Sequence, residues 1–129
     1  MDEIKKIVDD IGIAAFEANT KIAGIAVVSD SGDLVFQTEN FDLTNHSDFI
    51  SNVINGDLSF VFNNVEFKVV DTCSTGFIAT NDSGMGHIIL VSFQGGILVA
   101  YAMPGADPTI AFNFLNSYAM RLNGKIRNW

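Results

Sequence analysis

The sequence predicts an α/β domain of the α+β type, in which helices cover both faces of a central antiparallel sheet of five or six strands. Three observations support this prediction: apolar residues recur at helical spacing near both ends, short β-rich runs fill the second half, and a tight hairpin is signalled near residue 31. The chain has 129 residues, 48% of them hydrophobic, which is the size and composition of one domain spanning 1–129.

The first predicted element is an amphipathic helix from Asp2 to about Ala18. Its apolar residues recur every three or four positions, and acidic residues stand at its start, where the helix dipole favours negative charge. The segment 22–38 then contains two β-rich runs around Ser31-Gly32, where glycine supplies the positive φ of a tight turn. We therefore expect a helix followed by an antiparallel hairpin.

The segment after this hairpin gives a mixed pattern. From Thr44 the apolar residues keep helical spacing as far as Phe62, although Gly56 interrupts the pattern and the run LSFVF alternates like a strand. We predict a middle helix that begins at about Thr44 and ends near Gly56. Residues 57–62 stay open between helix and strand.

The remainder predicts antiparallel strands and a long final helix. The runs VEFKVVDT, GFIAT, HIILVSF and ILVAYAM are rich in β-branched and aromatic residues, and Gln94-Gly95-Gly96 joins the last two as a hairpin. Asp107 as N-cap, Pro108 at the first helical position and Asn123-Gly124 at the end delimit a helix over 108–122. We expect both terminal helices on one sheet face and the middle helix on the other.

The stretch ATNDSGMGHIIL, residues 79–90, gathers the residue types that could support chemistry. Its Gly84-Met85-Gly86 precedes a strand, whereas a phosphate-binding loop needs its glycines between a strand and a helix. Asp82, Ser83 and His87 lie within one exposed turn, whereas a catalytic triad usually gathers groups from distant parts of the chain. We interpret the stretch as a turn, and predict no catalytic residue and no cofactor.

Charge and cysteine content argue against several other classes. Residues 1–64 hold eleven acidic and three basic side chains, so no basic surface for nucleic acid or an anionic membrane is expected.

Two histidines 41 positions apart and a single Cys73 give no metal-binding spacing. We expect Cys73 to be a small buried residue in a reducing cytosol. With a charged N-terminus and no apolar span of about 20 residues, a cytoplasmic protein without a membrane segment is predicted.

The run IAGIAVVSDSG at residues 22–32, together with the order of elements, resembles the Roadblock family of dynein-light-chain-like domains. The resemblance extends from the helix at 2–18 to the helix at 108–122. It implies a non-catalytic homodimer, or a heterodimer with a related chain, that serves as a scaffold or regulator for a small Ras-like GTPase or for a motor or membrane-tethering complex. Dimers of this family generally join through the middle helix and the strand after it. Carried over to this sequence, the implied interface comprises Ile50, Val53, Ile54, Leu58, Phe67 and Val69.

Two other classes of function stay open. A small-ligand sensor of the PAS or GAF type also wraps helices on an antiparallel sheet, and eleven Phe could line a pocket, although such folds usually place more helix between the strand pairs. Profilin, which binds actin and proline-rich peptides, also begins and ends with helices. Its aromatic peptide platform has no visible counterpart at DEIKKIV, although Trp129 leaves that possibility open.

Overall fold

In a computed structural model of the protein, helices pack on one side of a seven-stranded antiparallel sheet. The structure describes residues 2–30, 33–38, 41, 56, 58–62 and 65–125. The helices are α1 (Asp2–Glu17) and α2 (Pro108–Ala119), and a 3₁₀ turn over Met120–Leu122 extends α2. The strands are β1 (Ile22–Ser29), β2 (Leu34–Gln37), β3 (Ser59–Phe62), β4 (Val65–Cys73), β5 (Gly76–Thr80), β6 (His87–Phe93) and β7 (Gly96–Ala102). Their order across the sheet is β2-β1-β7-β6-β5-β4-β3.

The two terminal helices lie on the same face of the sheet, as predicted. Both belong to one hydrophobic cluster, in which α1 contributes residues such as Ile11 and α2 contributes residues such as Leu115. The central strands β6 and β7 also supply a second cluster on the opposite face, because successive side chains of a strand point to opposite sides. These two strands are therefore covered on both faces, as their apolar sequences predict. The predicted middle helix lies outside the described residues, apart from Gly56.

The sheet has seven strands rather than the five or six predicted, because the run SFVF forms β3. Its side chains alternate between exposed and buried, which a strand produces and a helix does not. Phe60 stacks on Phe67 of β4 with 5.7 Å between ring centroids, and Phe62 meets Phe41 edge to face at 5.4 Å. The helical spacing that reached Phe62 in the sequence was therefore misleading beyond Gly56.

Both ends of α2 are fixed by side-chain oxygens. The Asp107 carboxylate accepts hydrogen bonds from the backbone N–H groups of Thr109 (3.0 Å) and Ile110 (3.3 Å), which confirms the predicted N-cap. Beyond the 3₁₀ turn, the Asn123 side chain accepts a bond from the N–H of Gln94 at 2.7 Å. This second bond holds the end of the helical segment against the turn between β6 and β7.

Two glycines offer a matched test of this packing. A Cβ at Gly76 would lie 1.9 Å from the carbonyl oxygen of Leu90 and 2.9 Å from the Phe112 ring, whereas a Cβ at Gly12 meets nothing within 4 Å. We expect Gly76→Ala to lower the free energy of unfolding by about 2–3 kcal/mol through overpacking. We expect Gly12→Ala to raise it by up to about 1 kcal/mol, since alanine favours a helix interior. Urea unfolding followed by circular dichroism measures both, and a fully stable Gly76→Ala would contradict the close contact between β5 and β6.

Candidate functional site

The helices leave part of their own sheet face uncovered. α1 packs mainly against β1, and α2 packs mainly against β6 with further contacts to β7 and β5. The strands β4 and β3 lie beyond β5 at the edge of the sheet. Their side chains on the helix side are therefore candidates for an exposed binding surface.

Strand pairing identifies which side chains of β4 lie on the helix side. Asp71 is opposite Ile78, a member of the helix-side core, and Lys68 is opposite Thr80. Directly opposite residues of an antiparallel pair share a face, and every second residue follows them. Glu66 and its partner Val61 on β3 consequently lie on the same side as Lys68.

The side of α2 that borders these strands is marked by Phe112. Its ring lines a small hollow together with residues of β4 and β5. Asn116 and Met120 follow Phe112 at steps of four residues, which keeps them on neighbouring positions of the helical surface. We name the combined surface the open strip. Its members are Val61, Glu66, Lys68, Val70, Asp71, Cys73, Asn116 and Met120.

Three apolar side chains of the open strip are largely exposed to solvent. Val61 is 61% exposed, Val70 is 60% exposed and Met120 is 70% exposed. Val70 is the extra residue in a break of the β4–β5 register between Val69 and Asp71, so it has no direct partner on β5. Exposed large apolar side chains on one surface are typical of a site that binds another protein.

The charged part of the open strip is organised by the turn between β5 and β6. The ammonium of Lys68 lies 2.8 Å from the carboxylate of Asp82 in that turn. Hydrogen bonding and charge attraction from Asp82, with a smaller effect of Glu66, raise the pKa of Lys68. The positive charge of Lys68 is therefore already paired with a carboxylate of the same molecule.

The turn over residues 81–86 is held by several hydrogen bonds, which confirms its interpretation as a turn. The Asn81 side chain donates to the Glu66 carbonyl at 2.7 Å and accepts from the N–H groups of Ser83 and Met85. The Tyr101 hydroxyl donates to the Met85 carbonyl at 2.8 Å. The turn therefore presents Asp82 to β4 in a fixed position.

In the described part of the chain, Asp82, Ser83 and His87 are not hydrogen-bonded to one another as a triad. Asp82 pairs with Lys68, while Nδ1 of His87 lies 2.8 Å from the hydroxyl oxygen of Thr80 on the neighbouring strand. Within the described ranges, no group of three or more His, Cys, Asp or Glu side chains is arranged to hold a metal ion. Nor does the described part of the chain contain a helix long and apolar enough to cross a membrane.

Cys73 differs from its prediction. The sequence favoured a small buried residue, but Cys73 is exposed at the end of β4, next to the tight turn that leads into β5. Its Sγ lies 3.3 Å from the hydroxyl oxygen of Thr75, and hydrogen bonding to Thr75 lowers the pKa of the thiol. Cys73 lines the same hollow as Phe112 of α2, and no described residue buries its thiol.

Of the six residues predicted as a dimer interface, Leu58, Phe67 and Val69 lie in the described part of the chain. Ile50, Val53 and Ile54 lie outside the described residues. Leu58 is exposed, Phe67 is only 2% exposed and stacks within the core, and Val69 is half-buried against the same phenylalanine-rich cluster. Sequence reasoning missed the open strip because it could not tell which strands the helices leave uncovered.

Comparison with known proteins identifies the fold. No family model matches the chain. It is 27% identical over 136 residues to Loki profilin-1 of Lokiarchaeum sp. (strain GC14_75), covering 97% of this chain and 98% of that protein. The crystal structure of LokiProfilin1 matches it with a TM-score of 0.86 at 26% identity, covering 98% of this chain and 99% of that one. The same protein in a complex with rabbit actin also gives 0.86, at 25% identity and 98% coverage of both chains. The chain therefore has the profilin fold, with its curled seven-stranded sheet and terminal helices.

The Roadblock resemblance is consequently wrong. It relied on the order of elements along the chain, which does not determine the order of strands in the sheet. The implied partners are corrected with it: the related structures show a profilin with actin, not a homodimer, a Roadblock-like heterodimer or a Ras-like GTPase complex. The predicted scaffold role for a GTPase, a motor or a tethering complex is also wrong, because it was implied only by the Roadblock resemblance.

His87 provides a test of the packing beneath the loop before α2. Burial lowers the pKa of His87 below the usual 6.5, and a hydrogen bond with the Ala106 backbone and the charge of Asp107 oppose only part of this effect. As the pH falls below about 6.5, the unfolded chain binds a proton that the folded chain does not, so stability should decrease. The stability contributed by the neutral imidazole is fully present above pH 6.5, and it is lost as the pH falls towards the folded-state pKa of His87. Replacing the imidazole in His87→Gln should remove that part of the slope. Urea unfolding between about pH 7 and pH 5 measures the difference, and identical slopes for both proteins would contradict the assignment.

Proposed function

We propose that the protein is a profilin-type actin-binding protein and that the open strip is the surface that contacts actin. The observation that carries this proposal is the end-to-end similarity to LokiProfilin1, a protein whose structure has been determined in a complex with rabbit actin. The protein acts in the cytoplasm by binding and has no reaction of its own.

The composition of the open strip supports a protein partner. Protein interfaces commonly have an apolar centre surrounded by polar groups, and a few central residues contribute most of the affinity. Here the exposed Val70 precedes Asp71, which lines the hollow next to Phe112, while Glu66, Lys68 and Asp71 supply polar groups on the same strand. A partner that covers this region would remove exposed apolar surface from water without burying an unpaired lysine.

The rigidity of the open strip also favours binding. β4 is hydrogen-bonded on both sides, by β3 and by β5, and the Lys68–Asp82 pair and Asn81 connect it to the turn at residues 81–86. A surface that is already ordered loses little conformational entropy when a partner binds. Less of the interaction energy is then offset by the ordering of this surface.

A binding protein of this kind would act on actin by covering part of its surface. Any actin surface covered by the open strip is excluded from other contacts while the complex lasts. The effect on actin assembly therefore depends on the concentration of the protein relative to its dissociation constant. No chemical group of the chain needs to take part in a reaction.

Isothermal titration calorimetry with latrunculin-bound rabbit actin monomers tests the proposal directly. We expect a complex of one copy of the protein with one actin. The actin of the protein's own organism serves as a second partner, so that a negative result with rabbit actin alone does not decide the question. Absence of binding to both actins at tens of micromolar would contradict the proposed function.

Neutral substitutions test whether the open strip is the contact surface. Val70→Thr combined with Met120→Gln keeps side-chain size but makes two exposed apolar positions polar. We expect this pair to weaken actin binding about tenfold, which corresponds to about 1.4 kcal/mol. The matched control is Ile13→Thr combined with Phe16→Gln, which makes the same kind of change at exposed apolar residues of α1. Equal dissociation constants for both double variants would place the contact elsewhere.

A further inference from the structure

We infer that the open strip selects an actin whose facing surface carries basic side chains. The inference rests on the proposed function, and adds to it the chemistry of the partner surface. It follows from the charges that the open strip leaves available for a partner.

The positive charge of the open strip is already neutralised. Its described residues contain one basic side chain, Lys68, and the ammonium of Lys68 lies 2.8 Å from the Asp82 carboxylate. The turn that carries Asp82 is held to β4 by the hydrogen bond from Asn81 to the Glu66 carbonyl. Because Lys68 is paired with Asp82, a partner meets two opposite charges at this position and not a lone cation.

Two carboxylates of the open strip have no such partner. Glu66 and Asp71 are exposed, and neither carboxylate forms an ion pair with another described residue. Asp71 also lines the hollow next to Phe112, within the proposed contact surface. The open strip as a whole therefore presents net negative charge around an apolar centre.

The chain as a whole is also acidic, and its excess of carboxylates lies in residues 1–64. The formal net charge is −8, and the chain contains only seven lysines and arginines. A partner surface with carboxylates would be repelled on approach and would leave like charges facing each other in the complex, which is costly. A surface with lysines or arginines opposite Asp71 and Glu66 would be attracted and would pair with them. Charge complementarity therefore favours a basic actin surface around an apolar contact.

The salt dependence of binding tests this inference. Dissociation constants are measured at about 50, 150 and 300 mM NaCl, concentrations over which screening of exposed charges increases strongly. The partner is the actin of the protein's own organism, held as monomer by latrunculin. We expect binding of the unmodified protein to weaken as salt increases. Asp71→Lys should weaken binding about tenfold at the lowest salt concentration and flatten the salt dependence. Glu17→Lys, an equal change of charge at an exposed position on α1, should leave the slope unchanged.

The outcomes separate this inference from the proposed function. Binding that strengthens with added salt, or that Asp71→Lys tightens, would overturn the basic partner surface while actin binding stands. An equal effect of Asp71→Lys and Glu17→Lys would also overturn it, because net charge and not the open strip would then govern binding. Failure of the unmodified protein to bind this actin at any salt concentration would overturn the proposed function, and the inference with it.

Discussion

The pairing of β1 with β7 is the constraint on which the rest of the structure depends. It joins a strand near the start of the chain to one near its end, over a register that runs from Ile22 opposite Ala102 to Ser29 opposite Gly96. Because α1 precedes β1 and α2 follows β7, this ladder brings the two helices together on one face of the sheet. The ion pair between Arg121 and Asp10, with 3.0 Å between the charged atoms, lies between the two helical segments.

The open strip is a consequence of this arrangement. Two helices placed over the β1–β7 side of the sheet do not extend over β3 and β4, which follow β5 at the opposite edge. On β3, strand alternation sends Phe60 and Phe62 into the core of the other face and leaves Val61 exposed on the helix side. Burial of the phenylalanines and exposure of the valine therefore have the same geometric cause. The surface that we assign to actin is produced by the fold itself.

Local signals in the sequence predicted local structure well. The Asp107 cap and the proline after it defined the start of α2, and the glycines between HIILVSF and ILVAYAM defined the β6–β7 hairpin. The run at residues 59–62 was ambiguous because a short apolar run fits both periodicities, and only the contact of Phe60 with Phe67 decides between them. Sequence periodicity carries no information on such long-range contacts.

The candidate site could not be predicted from the sequence either, because it also depends on long-range strand pairing. The order of helices and strands is compatible with more than one strand order, and the Roadblock resemblance relied on that order and on one short run at residues 22–32. Without the β1–β7 pairing, the sequence does not reveal which strands lie under helices, so the exposure of Val70 and Cys73 could not be expected. Alternation indicates that successive residues point to opposite faces of a sheet, but it does not indicate which of those faces another element covers.

Hydrogen exchange of the protein alone and in complex with actin monomers tests the central claim most directly. Backbone amides of β3, β4 and the segment over residues 109–120 should exchange more slowly in the complex, because the open strip would be covered. Amides of α1 around Ile13 and Phe16 should exchange at the same rate in both states. Protection confined to α1, with β3 and β4 unchanged, would contradict the assignment of the open strip as the actin-binding surface.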